Sequence, residues 1–388
     1  MQYRHCGRLD WKVSALGFGC MRLPTMGDAA KIDEPQATDM LHYAIDHGVN
    51  YLDTAWPYHG GNSEPWLGRA LQGGFRQKVR VATKLPSWLV KERTDFDRFL
   101  NEQLIRLQTE YIDFYLLHNL RKDYWERLYS FGVLPWLEKA IAAGRIRHVG
   151  FSFHAGFGVL KEIIDAYDAW DICQIQYNYV DESYETGTQG LQYAASKGLG
   201  VVVMEPLLGG RLVQPPSAVQ AIWDRAEKKR SPVDWALQWL WDKPEVSTVL
   251  SGMSSLEQVQ ENIVHAALSA VGSLTAQERA LVGEAGDQYR AVRPIRCTGC
   301  KYCEPCPNGV QISNLFREFI QGVMGNDLEG ARAAYMRMSE GERASACVQC
   351  RLCEDKCPQR ISISEWMPYL QEVLGEGKPY EPADRPEL

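Results

Sequence analysis

Long apolar runs are missing from this 388-residue chain. No stretch reaches the ~18 consecutive apolar residues expected of a membrane-crossing helix, so no membrane partner is expected. A basic block is missing too. The formal net charge is -7, with 42 Lys and Arg spread among 49 Asp and Glu, which argues against nucleic acid as a partner. The opening MQYRHCGRLDWKVSALGFG lacks the apolar core of a secretory signal, and a cytoplasmic location is expected. Cysteine is scarce until residue 297. Cys6, Cys20 and Cys173 stand alone, while the other eight of eleven fall in two tight runs. A disulfide framework would spread half-cystines through a small secreted domain, so clustering of this kind points to metal.

What is present up to about residue 270 is an alternation of short apolar runs with helical segments. The strand-like runs are 15–20, 50–54, 79–85, 112–118, 146–153, 172–178, 200–206 and 246–252. They are apolar throughout, as strands buried on both faces of a parallel sheet should be. Between them lie segments of 3.6-residue period. In EPQATDMLHYAIDHG, for example, Met40, Leu41, Ala44 and Ile45 share one face and Gly48 follows the end. Eight such β-then-α units give the length and rhythm of an α/β (β/α)8 TIM barrel. A doubly wound sheet is the competing reading, but no G-x-G-x-x-G follows the first strand. The opening YRHCGRLDWKVS reads as a β-hairpin turning near Gly7 to Asp10, placed at the N-terminal mouth of the barrel. The barrel domain is assigned to residues 1–280 and a small, mainly helical domain to 281–388.

In a parallel barrel, chemistry gathers at the C-terminal strand ends. Asp53 ends the second run, Tyr58 follows in DTAWPYHGG, Lys84 ends the third, and His118 ends the fourth. Singly, Asp53 and Lys84 read as a structural ion pair and His118 as a satisfied core histidine. Jointly they make a proton-relay site. A tyrosine, with its ordinary pKa of about 10, becomes a usable acid beside an ammonium that a carboxylate fixes in place. A histidine can orient a substrate oxygen or share the proton. Such a site suits protonation of a carbonyl oxygen while hydride reaches its carbon.

Cys347, Cys350, Cys353 and Cys357 follow C-x2-C-x2-C-x3-C-P, a ferredoxin run for a [4Fe–4S] cluster. Cys297, Cys300, Cys303 and Cys306 follow the same rhythm, one residue shorter at the end. In such runs the fourth cysteine serves the other cluster. Two clusters are therefore expected, on Cys297, Cys300, Cys303 and Cys357, and on Cys347, Cys350, Cys353 and Cys306. Zinc is the competing metal, although its four-cysteine sites are built from two separated pairs. The long helical stretch between the runs looks like the helical ferredoxins appended to larger oxidoreductases.

GFGCMRLP, GVNYLDTAWPYHGGNSEPWLGRAL, ATKLP, DFYLLHN, IRHVGFSFH and VLSGMSSLEQVQENI resemble the aldo-keto reductase superfamily over residues 1 to about 270. The cysteine tail is similar to a branch of it with a C-terminal iron–sulfur domain. The resemblance puts that family's catalytic tetrad on Asp53, Tyr58, Lys84 and His118, with Tyr58 as proton donor. It puts carboxamide-binding groups of a nicotinamide site on Ser152 and Gln174, though the usual asparagine after the serine is Phe153 here. Met204 stands where an aromatic commonly stacks on the nicotinamide ring. At the adenosine end Ser251, Glu261 and Asn262 are the expected contacts. Gly252 and Gln258 occupy the places of the usual lysine and arginine for a 2′-phosphate, so the cofactor is written NAD(P)(H) without a preference for NADP. Ser254 and Ser255 read equally as phosphate contacts or as simple helix caps, and Arg211 is a candidate dinucleotide contact. Met21, Trp56 and Trp88 are candidate pocket walls, and Arg22 a candidate anion anchor.

The expected function is NAD(P)H-linked reduction of a small aldehyde or ketone, or the reverse alcohol oxidation. Hydride carries two electrons and a [4Fe–4S] cluster takes one, so the tail opens two alternatives. One is electron transfer to or from a ferredoxin or other redox partner. The other is a non-catalytic nucleotide or redox sensor.

Overall fold

The computed structural model describes residues 1–386. The chain divides into two compact units, one of residues 1–206 and 234–276 and a second of 207–233 and 277–388.

In the first unit the hairpin comes first, β1 (Tyr3–Cys6) and β2 (Leu9–Ser14), paired antiparallel. The turn is tighter than expected. Gly7 and Arg8 make it, Gly7 at φ 53, while Asp10 already lies in β2. A side chain at Gly7 would meet the backbone of Gly198 to Gly200 within 2.3–2.5 Å, so only glycine fits. Cys6 and Val13 pack with Tyr51, Phe114, Ile172 and Val202, several of them residues near the starts of barrel strands. The hairpin therefore closes the N-terminal mouth with an apolar plug.

Eight strands then form a closed parallel barrel: β3 (Leu16–Gly19), β4 (Tyr51–Asp53), β5 (Arg80–Leu85), β6 (Ile112–Leu120), β7 (Ile146–Phe153), β8 (Ile172–Gln176), β9 (Gly200–Met204) and β10 (Val246–Gly252). Each pairs with the next in sequence, and β10 returns to β3. The helix Glu34–Asp46 buries Met40, Leu41, Ala44 and Ile45, is capped by Asp33, and releases into Gly48 at φ 97. The helix Pro232–Trp241 opens on its proline, where the missing N–H costs nothing.

In the second unit, helices Ile312–Met324 and Leu328–Arg337 and the helix Ile363–Leu370 share a core of Leu315, Phe316, Phe319, Trp366, Met367 and Leu370. Among the described residues no helix is long and apolar enough to cross a membrane.

Candidate active site and thiolate clusters

The four strand-end residues meet. Lys84 is fully buried, and its Nζ donates to Asp53 Oδ1 at 2.7 Å, to the Thr54 carbonyl at 2.8 Å and to Tyr58 Oη at 3.3 Å. Burial pushes the Asp53 carboxyl up and the Lys84 ammonium opposes that rise. The Tyr58 and His118 rings meet edge to face with centroids 6.2 Å apart, and Trp88 lies 5.1 Å from His118. Burial, with Lys84 and His154 adding to it, holds His118 well below the ordinary imidazole range. The imidazole is thus neutral at neutral pH and can donate or accept a hydrogen bond without a competing charge.

Asp53 does end β4, but Lys84 lies one residue inside β5 and His118 two inside β6, whose pairing slips between Leu117 and Leu120. Tyr58 opens a short 3-10 turn in which His59, Gly60 and Gly61 all have positive φ. His59 ties that turn down, Nδ1 to the Ala29 carbonyl at 2.7 Å and Nε2 to the Leu23 amide at 3.3 Å.

A brace behind Lys84 is invisible in the sequence pattern of β5 itself. Side chains alternate along the strand, so Lys84 points into the barrel and Thr83 out to the helix layer. There Glu64, fully buried, accepts from Thr83 Oγ1 at 2.5 Å and from Gln103 Nε2 at 2.7 Å, with Arg106 Nη1 at 3.4 Å. Gln103 Nε2 also reaches the Lys84 carbonyl at 3.0 Å, and Gln103 Oε1 accepts from Tyr115 Oη at 2.8 Å. Arg106 stacks 3.6 Å from the centre of the Trp56 ring. One signal does point to it: Gln103 continues the buried stripe of Phe96, Phe99 and Leu100, a polar residue where the helical period calls for an apolar one.

Of the expected nicotinamide contacts, Ser152 and Gln174 sit opposite each other on β7 and β8. Gln174 Nε2 lies 3.6 Å from Met204 Sδ, and its buried Oε1 has no hydrogen-bond partner among the described residues. A buried carbonyl oxygen left unpartnered is costly, and the carboxamide N–H of a nicotinamide would be a donor of the kind it lacks. Ser152 Oγ accepts from the Asn119 amide at 2.8 Å, with Asn119 at φ 54, and keeps its own hydrogen to donate. Phe153 is buried apolar bulk where an amide was expected.

The adenosine-end residues are arranged differently. Asn262 Nδ2 donates to Ser251 Oγ at 3.1 Å, both buried, while Glu261 faces solvent. Ser255 caps the helix Leu256–Ala267 by accepting from the Gln258 amide at 3.4 Å, and Gln258 Oε1 accepts from the Ser254 amide at 2.9 Å. The serine turn is thus a helix cap. A Cβ on Gly252 would stand 3.1–3.2 Å from the Arg22 stem, so Arg22 lies against the position that lacks the usual lysine.

Cys6, Cys20 and Cys173 are buried with thiols pushed up mainly by burial, which keeps them protonated and inert.

The two cysteine runs, within the second unit, fold alike. Gly299 and Lys301 have φ 67 and 64, and their counterparts Gln349 and Arg351 have φ 55 and 63. The Gly299 amide lies 3.4 Å from Cys297 Sγ, and the Gln349 amide 3.4 Å from Cys347 Sγ. Glu304 Oε1 accepts from the Ser313 amide at 3.2 Å, and Glu354 Oε1 from the Ser364 amide at 2.7 Å, so each run caps the helix that follows it. Each run's fourth cysteine acts electrostatically on thiols of the other run. The Cys303 thiol, pushed up by burial, is pushed further by Cys300, Cys297 and Cys357. Burial likewise raises Cys347 and Cys353, with Cys306 adding to both. Yet among the described residues no three such side chains lie close enough to share one ion. Four cysteine thiolates are the donor set that an iron–sulfur cubane takes. Arg211 Nε donates to the Cys297 carbonyl at 2.8 Å, within this same unit.

Residues 15–280 match the aldo/keto reductase family, and residues 296–361 match a 4Fe-4S dicluster domain. The chain is 30% identical to an L-galactose dehydrogenase of Arabidopsis thaliana, over 72% of this chain and 92% of that protein. It is 26% identical to an uncharacterized oxidoreductase, YqkF, of Bacillus subtilis (strain 168), over 68% and 90% respectively. Among solved structures it resembles the holo form of an aldo-keto reductase from Bacillus halodurans, with a TM-score of 0.62 and 28% identity, over 74% of this chain and 96% of that one.

Proposed function

The chain belongs to the aldo/keto reductase family, and on that premise we propose that it reduces a small aldehyde or ketone with NAD(P)H, or runs the reverse alcohol oxidation, with Tyr58 as the proton donor. The observation that carries this reading is the Lys84 ammonium shared between Asp53 Oδ1 and Tyr58 Oη. A cation beside the phenol stabilises the phenolate left after proton transfer. Asp53 and the Thr54 carbonyl keep that cation from drifting. Neutral His118 orients the carbonyl oxygen toward Tyr58. Gln174 and Ser152 would hold the carboxamide of the nicotinamide, with Met204 beneath the ring. The dinucleotide, when bound, supplies or accepts hydride. At the adenosine end, Ser251, Glu261 and Asn262 are the proposed contacts, and Arg22 is the nearest cation to the Gly252 position.

The test is Tyr58→Phe. Carbonyl-dependent oxidation of NADH and NADPH should fall about 10²–10⁴-fold, the usual range for loss of a general acid, while nucleotide binding by fluorescence titration stays unchanged. Retained activity would remove Tyr58 from the mechanism. The relative that dehydrogenates L-galactose makes alcohol oxidation worth assaying in the same variant.

A second reading rests on the dicluster match. Residues 281–388 form an electron-carrying domain with two [4Fe–4S] clusters, on Cys297, Cys300, Cys303 and Cys357 and on Cys347, Cys350, Cys353 and Cys306. A 3+1 grouping of the thiols supports that division. Iron and sulfide near eight atoms each per chain would agree with it.

A further inference from the structure

The two cysteine runs share a backbone shape but not a surface. In the first, Thr298 is buried and Tyr302 half-buried; in the second, the corresponding Val348 and Leu352 are 64% and 52% exposed. Cys350 is exposed, while its counterpart Cys300 is only partly so. Residues 348–352 form five consecutive exposed positions, with Val348, Cys350 and Leu352 at alternate places. Two aliphatic side chains left in water on either side of a thiolate ligand have no packing role to explain them.

Charged residues lie within and just after this apolar spot in the sequence. Arg351, Lys356 and Arg360 are exposed, and Asp355 is the one exposed acid between Cys347 and Ile361. Glu354 is half-buried and turned to the Ser364 amide. Ion pairs of this unit include Arg225–Glu284, Arg230–Glu278, Arg290–Asp287, Arg317–Glu318, Arg332–Glu329 and Lys378–Glu372, and none among the described residues engages Arg351, Lys356 or Arg360. The chain as a whole carries -7, so three exposed cations within this one run stand out against that background.

We infer that residues 348–352, with the exposed cations Arg351, Lys356 and Arg360 of the same run, are the docking surface for a small acidic one-electron carrier protein. The set Cys347, Cys350, Cys353 and Cys306 is then the outer, electron-exchanging one. This rests on the two-cluster reading above. Transient electron-transfer contacts are small, under about 1,200 Å², with an apolar centre and a charged rim that steers approach. In the exchange the carrier loses one electron and the iron–sulfur group held by Cys350 gains it. No bond is made or broken and no proton moves.

The experiment uses the anaerobic holoprotein, first characterised by iron content and by electron paramagnetic resonance after dithionite reduction. Reduced plant-type [2Fe–2S] ferredoxin is the probe, and cluster reduction is followed by stopped-flow absorbance. Leu352→Glu and Arg351→Glu should each slow reduction by ferredoxin about tenfold or more, and added salt should slow the native protein. Dithionite should reduce all three alike, and Leu352→Met should keep the native rate. Equal ferredoxin rates in proteins of full iron content would overturn the proposal, as would a native protein that dithionite reduces and ferredoxin does not. Self-association lost in Leu352→Glu, without a ferredoxin effect, would make the patch an interface between copies and also overturn it. Iron content or spectra lacking [4Fe–4S] would overturn instead the two-cluster reading, and the proposal with it.

Discussion

Asp53→Asn strands the Lys84 ammonium inside the barrel. The two side chains are 4% and 0% exposed, and Asp53, at 2.7 Å, is the one carboxylate bonded to Lys84 among the described residues. Breaking such a pair by removing one member costs about 3–5 kcal/mol. The ammonium keeps the Thr54 carbonyl and Tyr58 Oη as acceptors, which places the cost at the lower end, about 3 kcal/mol. Lys84→Met leaves a buried carboxyl instead, and a carboxyl can take up a proton. Burial already pushes Asp53 up and Lys84 opposes it, so without Lys84 the folded-state value rises further above the unfolded one. A group raised in the folded state adds stability below its unfolded pKa of about 3.9, and that stability is lost as pH climbs through the folded value. Lys84→Met should therefore be least harmful in acid. The double variant removes both charges, and its cost should fall to about 1 kcal/mol, below Asp53→Asn alone, a coupling of at least about 2 kcal/mol. Urea unfolding followed by fluorescence of buried Trp66, Trp170, Trp235 and Trp241 measures all three. An Asp53→Asn cost below about 1 kcal/mol, or strict additivity in the double variant, would refute the reasoning.

Other outcomes follow from the same geometry. His118 has a depressed folded pKa, so it contributes stability present above about pH 6.5 and lost as pH falls through the folded value; His118→Gln should flatten that part of the stability profile in acid unfolding. Glu64→Ala leaves Gln103 and Arg106 without their shared acceptor and should cost about 2–4 kcal/mol, with a shifted fluorescence spectrum from Trp56. Gln174→Leu satisfies its own burial but removes the proposed carboxamide contact, so nicotinamide affinity should weaken about 5–10-fold, as for one hydrogen bond of ~1–1.5 kcal/mol, with the folding midpoint preserved.

The barrel was legible because strands buried on both faces write themselves as unbroken apolar runs. All eight runs became strands, with boundaries moved by a residue or two. Asp53, Lys84 and His118 were legible for a related reason: a polar residue near the end of such a run has no packing excuse, and Tyr58 follows in the turn after β4. The Glu64 brace was signalled only at one end, by Gln103 in an apolar stripe, since nothing local says that Glu64 and Gln103, 39 residues apart, share one hydrogen bond. The pairing of Asn262 with Ser251 was not legible, since it depends on how a helix settles against β10. The association of segment 207–233 with the C-terminal residues is likewise a tertiary fact without a sequence marker. The cysteine runs lay at the other extreme, because their spacing alone encodes how a backbone wraps a cubane.

In the proposed division, the exchange of Cys306 and Cys357 between the runs would turn cofactor supply into a matter of chain topology. Each proposed cluster would staple together two stretches separated by about 40–50 residues of sequence, so neither run could complete its own site in isolation. A cross-link of that span removes several kcal/mol of unfolded-chain entropy, in the manner of a disulfide closing a long loop. Assembly should then be all-or-none: a chain starved of iron lacks both staples at once, and half-loaded protein should be rare. The cell would in effect read its iron and sulfide supply as the fraction of this protein whose C-terminal quarter resists proteolysis.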